Sequence, residues 1–261
     1  MSESSLAEFA AFAERLADAS RKILLAVASQ VPEVGIKPDA SLVTATDRAV
    51  EARLREMIEA QYPAHGIMGE ELGQRDADAE FVWVLDPIDG TAPFVAGLPV
   101  YGTLIGLARG GRPLLGVIDH PATDDRWFGV VGQGTRRNGV PQRIRACGSL
   151  ETAFATNSSP DFMTAEEKER FERVRARVRY MQYGGSCFAY GLLASGRTDI
   201  ALDAGFDIYD VLAVAAVIEA AGGIVTDWDG KPIDLSWRGR VVAAGDPQRH
   251  HEVLALLAEG A

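Results

Sequence analysis

The stretch IYDVLAVAAVIEAAGG, residues 208–223, limits the fold of this chain more than any other. It has helical length but no polar face, so it reads as a buried helix, and Gly222-Gly223 marks where that helix stops. Acids stand at its opening, Asp207 and Asp210 in FDIYD. Asp207 suits an N-cap position. Carboxylates gathered at the end of a buried segment need something positive to hold them together.

The rest of the chain supplies layers to cover such a helix. Residues 5–29 place Leu6, Phe9, Ala13, Leu16, Ile23 and Val27 at helical spacing, with Ser5-x-x-Glu8 as a capping box and Val31-Pro32 as the stop. A second amphipathic helix runs from about Asp47 to Gln61 and stops at Tyr62-Pro63. The apolar run 81–85 and then YGTLIGLA, PLLGVID and RWFGVV read as strands, followed by a type I′ turn at Asn138-Gly139. Beyond residue 145, strands and helices alternate. Thr164-x-x-Glu167 caps a helix, SCFAYGLLASG forms another, TDIALD is a strand, and a strand over 239–244 precedes a helix from Pro247. The expected class is α/β (α+β). Residues 1–144 form an N-terminal α+β half of helices on an antiparallel sheet, and residues 145–261 form a C-terminal α/β half.

At 261 residues and 47% hydrophobic content the chain can bury a large core. No basic leader precedes an apolar block and no segment approaches the roughly 20 apolar residues that span a bilayer, so a soluble cytoplasmic protein is expected. Cys147 and Cys187 offer neither a disulfide framework nor a zinc spacing. Acids outnumber bases 37 to 26, and the net charge of −11 argues against nucleic acid and anionic membrane as partners. The basic residues of ERFERVRARVRY are interleaved with acids and read as a solvated helix face.

The chemistry concentrates in VLDPIDGT, residues 84–91. A strand delivers Asp86 to its end, and Pro87, lacking an N–H, ends the ladder there. Ile88 can then present its carbonyl beside Asp86 and Asp89, and Gly90 permits close backbone approach. Thr91-Ala92-Pro93-Phe94 reads as a first helical turn whose free amides suit a phosphate. Carboxylates, a carbonyl and a phosphate make an all-oxygen site that favours Mg²⁺ or Mn²⁺ over zinc. Asp86 and Asp89 could equally be ordinary turn and cap acids. Further acids in GEELG (Glu70, Glu71), LVTATD (Asp47) and FDIYD make that alternative harder to hold for all of them at once.

LVTATD, GEELG, WVLDPIDGT and YDVLAVAAVIEAAGG occur in the order and spacing of the inositol monophosphatase family, which the chain resembles over nearly its whole length. The resemblance implies a layered αβαβα sandwich of the inositol monophosphatase/fructose-1,6-bisphosphatase type, a homodimer, and hydrolysis of a small phosphomonoester dependent on two or three Mg²⁺ ions. By resemblance, Glu70, Asp86 and the Ile88 carbonyl hold one ion, and Asp86, Asp89 and Asp210 hold a second. A third, looser ion sits near Glu70. Gly90 and Thr91 hold the phosphate, and Asp47 with Thr91, assisted by Glu70, orients the attacking water; no phosphoenzyme is expected. GLPVYGTLIGL, GVIDHPATDDRWFG, YGGSCFAYGLLASGRTDIALDAG and GGIVTDWDGKPI look most like the histidinol-phosphatase branch, which implies a place in histidine biosynthesis. Gly184, Gly185, Ser186, Asp203 and Asp207 fall on that branch's substrate side, with Asp203 where an acid contacts the leaving alcohol. The chain departs from the branch at Ser186, where an acid is usual, at Asp207, where a base is usual, and at Ala92, where Lys is common. The first substrate expectation is therefore histidinol phosphate, and the second inositol 1-phosphate or another polyol phosphate. A catalytically silent metal- or phosphate-binding protein is the alternative outside enzymes.

No Ser-His-Asp arrangement competes. His65, His120, His250 and His251 lack a nucleophile elbow, and the last two are expected to face solvent. Cys187 in GGSC reads as a small buried residue. Lys37 lies at a position familiar from the family but, as a lone lysine in a loop, is expected at the surface. Gly132-Gln133-Gly134-Thr135 reads as a turn between strands.

Overall fold

The computed structural model describes residues 3–37 and 41–259. The chain opens with α1 (Glu3–Val27), a hairpin of β1 (Val34–Ile36) and β2 (Leu42–Thr44), and α2 (Ala45–Gln61). β3 (Gly66–Gly69), β4 (Gly73–Arg75) and β5 (Phe81–Asp89) lead through the short α3 (Thr91–Ala96) into β6 (Gly102–Arg109), β7 (Arg112–His120), β8 (Asp125–Val130), β9 (Gly134–Arg137) and β10 (Val140–Gln142). Then come β11 (Phe154–Asn157), α4 (Ala165–Arg175), β12 (Tyr180–Tyr183), α5 (Ser186–Ala194) and β13 (Ile200–Phe206). Last are α6 (Ile208–Ala220), β14 (Ile224–Thr226), β15 (Gly239–Ala244) and α7 (Pro247–Ala258).

Among the described residues, eight strands form one sheet, in the order β10-β9-β8-β7-β6-β5-β3-β4, and five form another, in the order β12-β11-β13-β15-β14. Period-two alternation splits each strand's side chains between two cores. On β5, Trp83 and Leu85 face α1 and α2, while Val82 and Val84 face α5 and α6. On β13, Ala201 faces α5 and α6, while Ile200, Leu202 and Ala204 face α4 and α7. The layers therefore run αβαβα, with α6 in the middle, where its lack of a polar face requires it to be. None of the described helices is long and apolar enough to cross a membrane.

Four local expectations change. The first sheet is mixed, because β3 pairs parallel to β5. α1 already runs from Glu3, so Ser5 and Glu8 stand on its first turns instead of bounding it. His250 is buried, its Nε2 2.9 Å from Thr226 Oγ1, because α7 turns that side of the pair inward. β5 does not end at Pro87 but runs on to Asp89. The Asn138-Gly139 turn has both residues at positive φ, 49° and 80°, as type I′ requires.

Candidate active site

β5 carries the first acids through a bulge. Asp86 pairs with Leu104, the register slips, and Asp89 pairs with Gly102, so the strand passes Pro87 and resumes. Pro87 needs no ladder donor within the bulge, and its carbonyl accepts a 2.8 Å hydrogen bond from the Thr103 hydroxyl. The slip sets Asp86 and Asp89 on the same side of the strand end.

α6 brings the third acid from far along the chain. Gly106, Gly116 and Gly129 are cross-strand partners on β6, β7 and β8, and they form a trough without side chains. A Cβ on Gly116 would lie 2.1 Å from the Ala213 carbonyl oxygen, and one on Gly129 would lie 2.7 Å from the Val217 Cα. The helix can therefore lie directly on the sheet. At its start, Asp207 is the N-cap, and the Asp207 N–H donates to Asp210 Oδ2 at 2.6 Å, completing a capping box. Carboxylate oxygens of Asp86, Asp89 and Asp210 then lie within 4.8 Å of one another.

Glu70 reaches the cluster from the turn after β3, and a residue the sequence did not single out holds that turn. Glu51 of α2 is fully buried; its carboxylate accepts from the Glu71 N–H at 2.7 Å and the Leu72 N–H at 3.1 Å, and pairs with Arg55 at 2.7 Å. Gly69 is what lets it in, since a Cβ there would sit 1.8 Å from Glu51 Oε1. Lys37 corrects the surface expectation: its ammonium lies 2.7 Å from Glu70 and 2.5 Å from Glu71 and is largely buried. Burial works to lower the Lys37 pKa, but the hydrogen bonds its ammonium donates to both glutamates, with their charges, outweigh it and raise it.

This gathering of like charges strains their ionisation. Burial is the largest cause holding the Asp86 carboxyl well above its ordinary pKa, and Glu70, Asp89 and Asp210 push it further. Asp210 is raised by burial and then by Asp89. Burial also raises Asp89 and Glu70, offset in part by hydrogen bonds from Cys187 and Lys37 respectively. Asp86 is 1% exposed, and its Oδ1 has no hydrogen-bond partner. A buried carboxylate with a donorless oxygen, placed among other acids, fits a hard divalent cation, and the all-oxygen donor set agrees. The cluster can hold a metal ion.

Around this centre the other expected residues take definite places. The Thr91 hydroxyl lies 3.1 Å from the Ile88 carbonyl and 3.5 Å from Asp47 Oδ1, so its one proton serves the nearer acceptor. Asp47 Oδ2 is held by the Thr44 N–H and hydroxyl at 2.8 and 2.6 Å, and burial raises its pKa. Gly184, Gly185 and Ser186 form a positive-φ run, 70°, 146° and 46°, that turns the chain into α5. There the Cys187 N–H donates to Asp89 Oδ2 at 2.6 Å, while its buried thiol lies 3.2 Å from His120 Nε2. Ser186 Oγ occupies the space where a Cβ on Gly90 would be, 2.7 Å away. Asp203 is set deeper, 1% exposed, accepting from Asn157, the Ser158 N–H and the Tyr190 hydroxyl at 2.9, 2.7 and 2.7 Å. Burial pushes its pKa up to about 7 against those hydrogen bonds. Asp207 points outward and pairs with Arg238 at 2.9 Å.

Fold and site together define a hydrolase of phosphomonoesters built round a carboxylate cluster. Residues 5–260 match the family model described as the inositol monophosphatase family, and the chain belongs to that family of phosphatases. It is 40% identical over 268 residues to a protein of Arabidopsis thaliana named bifunctional phosphatase IMPL2, chloroplastic, covering 98% of this chain and 77% of that one. It is 33% identical to a histidinol-phosphatase of Mycobacterium tuberculosis, covering 87% and 88% of the two chains. Among solved structures, an inositol monophosphatase from Zymomonas mobilis superposes with a TM-score of 0.89 at 36% identity, over 98% of this chain and 99% of that one.

Proposed function

We propose that the protein hydrolyses histidinol phosphate to histidinol and phosphate, using Mg²⁺ ions held by Glu70, Asp86, Asp89, Asp210 and the Ile88 carbonyl. The observation that carries the metal assignment is the buried, donorless Oδ1 of Asp86 within the cluster formed with Asp89 and Asp210. Bound there, Mg²⁺ would supply Lewis acidity, neutralising carboxylate and phosphoryl charge and making water acidic enough to attack. The chain's own residues supply position. Asp47, fixed by Thr44, and the Thr91 hydroxyl orient the attacking water, with Glu70 assisting. The Gly90 and Thr91 amides stand at the start of α3, where N–H groups lack helical partners and suit phosphate oxygens. Cys187, through its N–H, fixes Asp89. Gly184, Gly185, Ser186, Asp203 and Asp207 border the alcohol side, so residues 1–144 contribute most metal ligands and residues 145–261 contribute Asp210 and substrate selection.

The relative named histidinol-phosphatase in Mycobacterium tuberculosis supports histidinol phosphate as a substrate. Inositol 1-phosphate stands second, supported by a protein of the same organism named probable inositol 1-monophosphatase ImpA, 35% identical over 82% of this chain. Phosphate release from histidinol, inositol, sugar and nucleotide monophosphates, with and without Mg²⁺, tests both. Metal-dependent release is expected, fastest from histidinol phosphate; preference for another ester would overturn the ranking, and silence across the panel would favour a binding role.

A further inference from the structure

We propose that the Arg238–Asp207 ion pair selects the charge of the leaving alcohol: a cationic alcohol exchanges with the Arg238 guanidinium on Asp207. This rests on the site being a phosphomonoesterase centre. The pair stands at the N-cap of α6, three residues before Asp210, with Arg238 Nε lying 2.9 Å from Asp207 Oδ1 and side chains 51% and 47% exposed. Asp207 is one hydrogen bond from the cluster, through its N–H to Asp210.

Arg238 is presented on a braced loop. Asp234 Oδ1 accepts from the Ser236 N–H at 2.8 Å, the Trp237 N–H bonds back to the Asp234 carbonyl at 2.9 Å, and the Leu235 N–H reaches the Gly111 carbonyl at 3.0 Å. The guanidinium Nη1 donates to the Leu235 and Trp237 carbonyls. Arg238 can therefore keep two carbonyl bonds when its Nε gives up Asp207. A half-exposed ion pair is weakly held, so an incoming ammonium or imidazolium can replace the guanidinium at little cost. Asp203 is less suited to that exchange, since its carboxylate is buried and occupied by Asn157, Ser158 and Tyr190. A neutral polyol gains nothing from Asp207 while Arg238 covers it.

The test compares kcat/KM for histidinol phosphate against inositol 1-phosphate, with 2-aminoethyl and 2-hydroxyethyl phosphate as a size-matched pair. Arg238→Ala should raise the cationic-to-neutral ratio about fivefold, mainly through KM, by uncovering Asp207. Asp207→Asn should lower it by a similar factor, and asparagine keeps the α6 N-cap. Arg238→Lys should stay near the original ratio. A purely structural pair would lower kcat/KM for both members alike, and ratios unmoved beyond about 1.5-fold in both variants would overturn the proposal. If the unaltered enzyme prefers inositol 1-phosphate yet the variants shift the ratio as stated, the substrate ranking fails and the exchange stands. If histidinol phosphate is preferred but the ratio does not move, the exchange fails and the ranking stands.

Discussion

Replacing Asp86 with asparagine should stabilise the metal-free protein while removing its response to Mg²⁺. Asp86, Asp89 and Asp210 have carboxylate oxygens within 4.8 Å of one another, and two full charges at that distance repel by about 3 kcal/mol at an effective dielectric near 20. Retained protons relieve part of this in the unaltered protein, since burial and the neighbouring acids raise the Asp86 pKa. The net gain from Asp86→Asn without metal is then about 1–3 kcal/mol, or about 2–10 °C in Tm for a chain of this size. With Mg²⁺ at about 100 times its Kd, the unaltered protein should gain roughly 2.7 kcal/mol, worth about 5–10 °C, and the variant should gain almost nothing. Calorimetric scans in EDTA and in Mg²⁺ give all four values, and phosphate release should be lost in the variant. A metal-free variant melting lower than the unaltered protein, together with an intact Mg²⁺ shift, would refute the reasoning.

Other perturbations reach the site through its supports. Gly116→Ala should lift α6 off the sheet, because the new Cβ would lie 2.1 Å from the Ala213 carbonyl oxygen; we expect a loss of about 1–3 kcal/mol in denaturant unfolding and weaker metal binding through displaced Asp210. Unchanged stability and metal affinity would show that the trough is not needed. Glu51→Ala strips the Glu71 and Leu72 N–H groups of their acceptor and should cost about 2–4 kcal/mol, with faster amide exchange confined first to the turn carrying Glu70. Asp203 has a folded pKa of about 7 against 3.8 as its reference, so the native state holds this proton more tightly than the unfolded chain. Its stabilising effect is full below about pH 4 and is lost as pH rises through 7. Asp203→Asn should remove that downward slope, and a pH-independent stability difference between the two proteins would contradict it.

Much of the fold was legible because its signals are local. Period-two strands, the Asn138-Gly139 turn, the Thr164 capping box and the mostly apolar α6 each have their own sequence pattern. β3 carries no such pattern, because GIMG is only four residues long and buried throughout, which leaves no alternation to read. Pro87 marks the irregularity in β5 but not its form, since a bulge lets a strand continue past a proline. The acids of the site were visible as residues at element ends. Their supports were not, because Glu51 looks like any helix acid until Gly69 is seen to make room for it. Gly106, Gly116 and Gly129 each sit singly inside a strand pattern, which is itself a sequence signal of close backbone approach. The place of Lys37 has no local signal either, since whether a lone lysine is solvated depends on what folds beside it.

The most direct measurement is anomalous diffraction from crystals soaked in Mn²⁺ as a heavier substitute for Mg²⁺. The account predicts at least one peak bound by Asp86, with Asp89 and Asp210 or Glu70 completing its oxygen ligands. Crystals with no peak there, or with the three aspartates turned away from one another, would contradict the claim that these acids converge to share divalent cations.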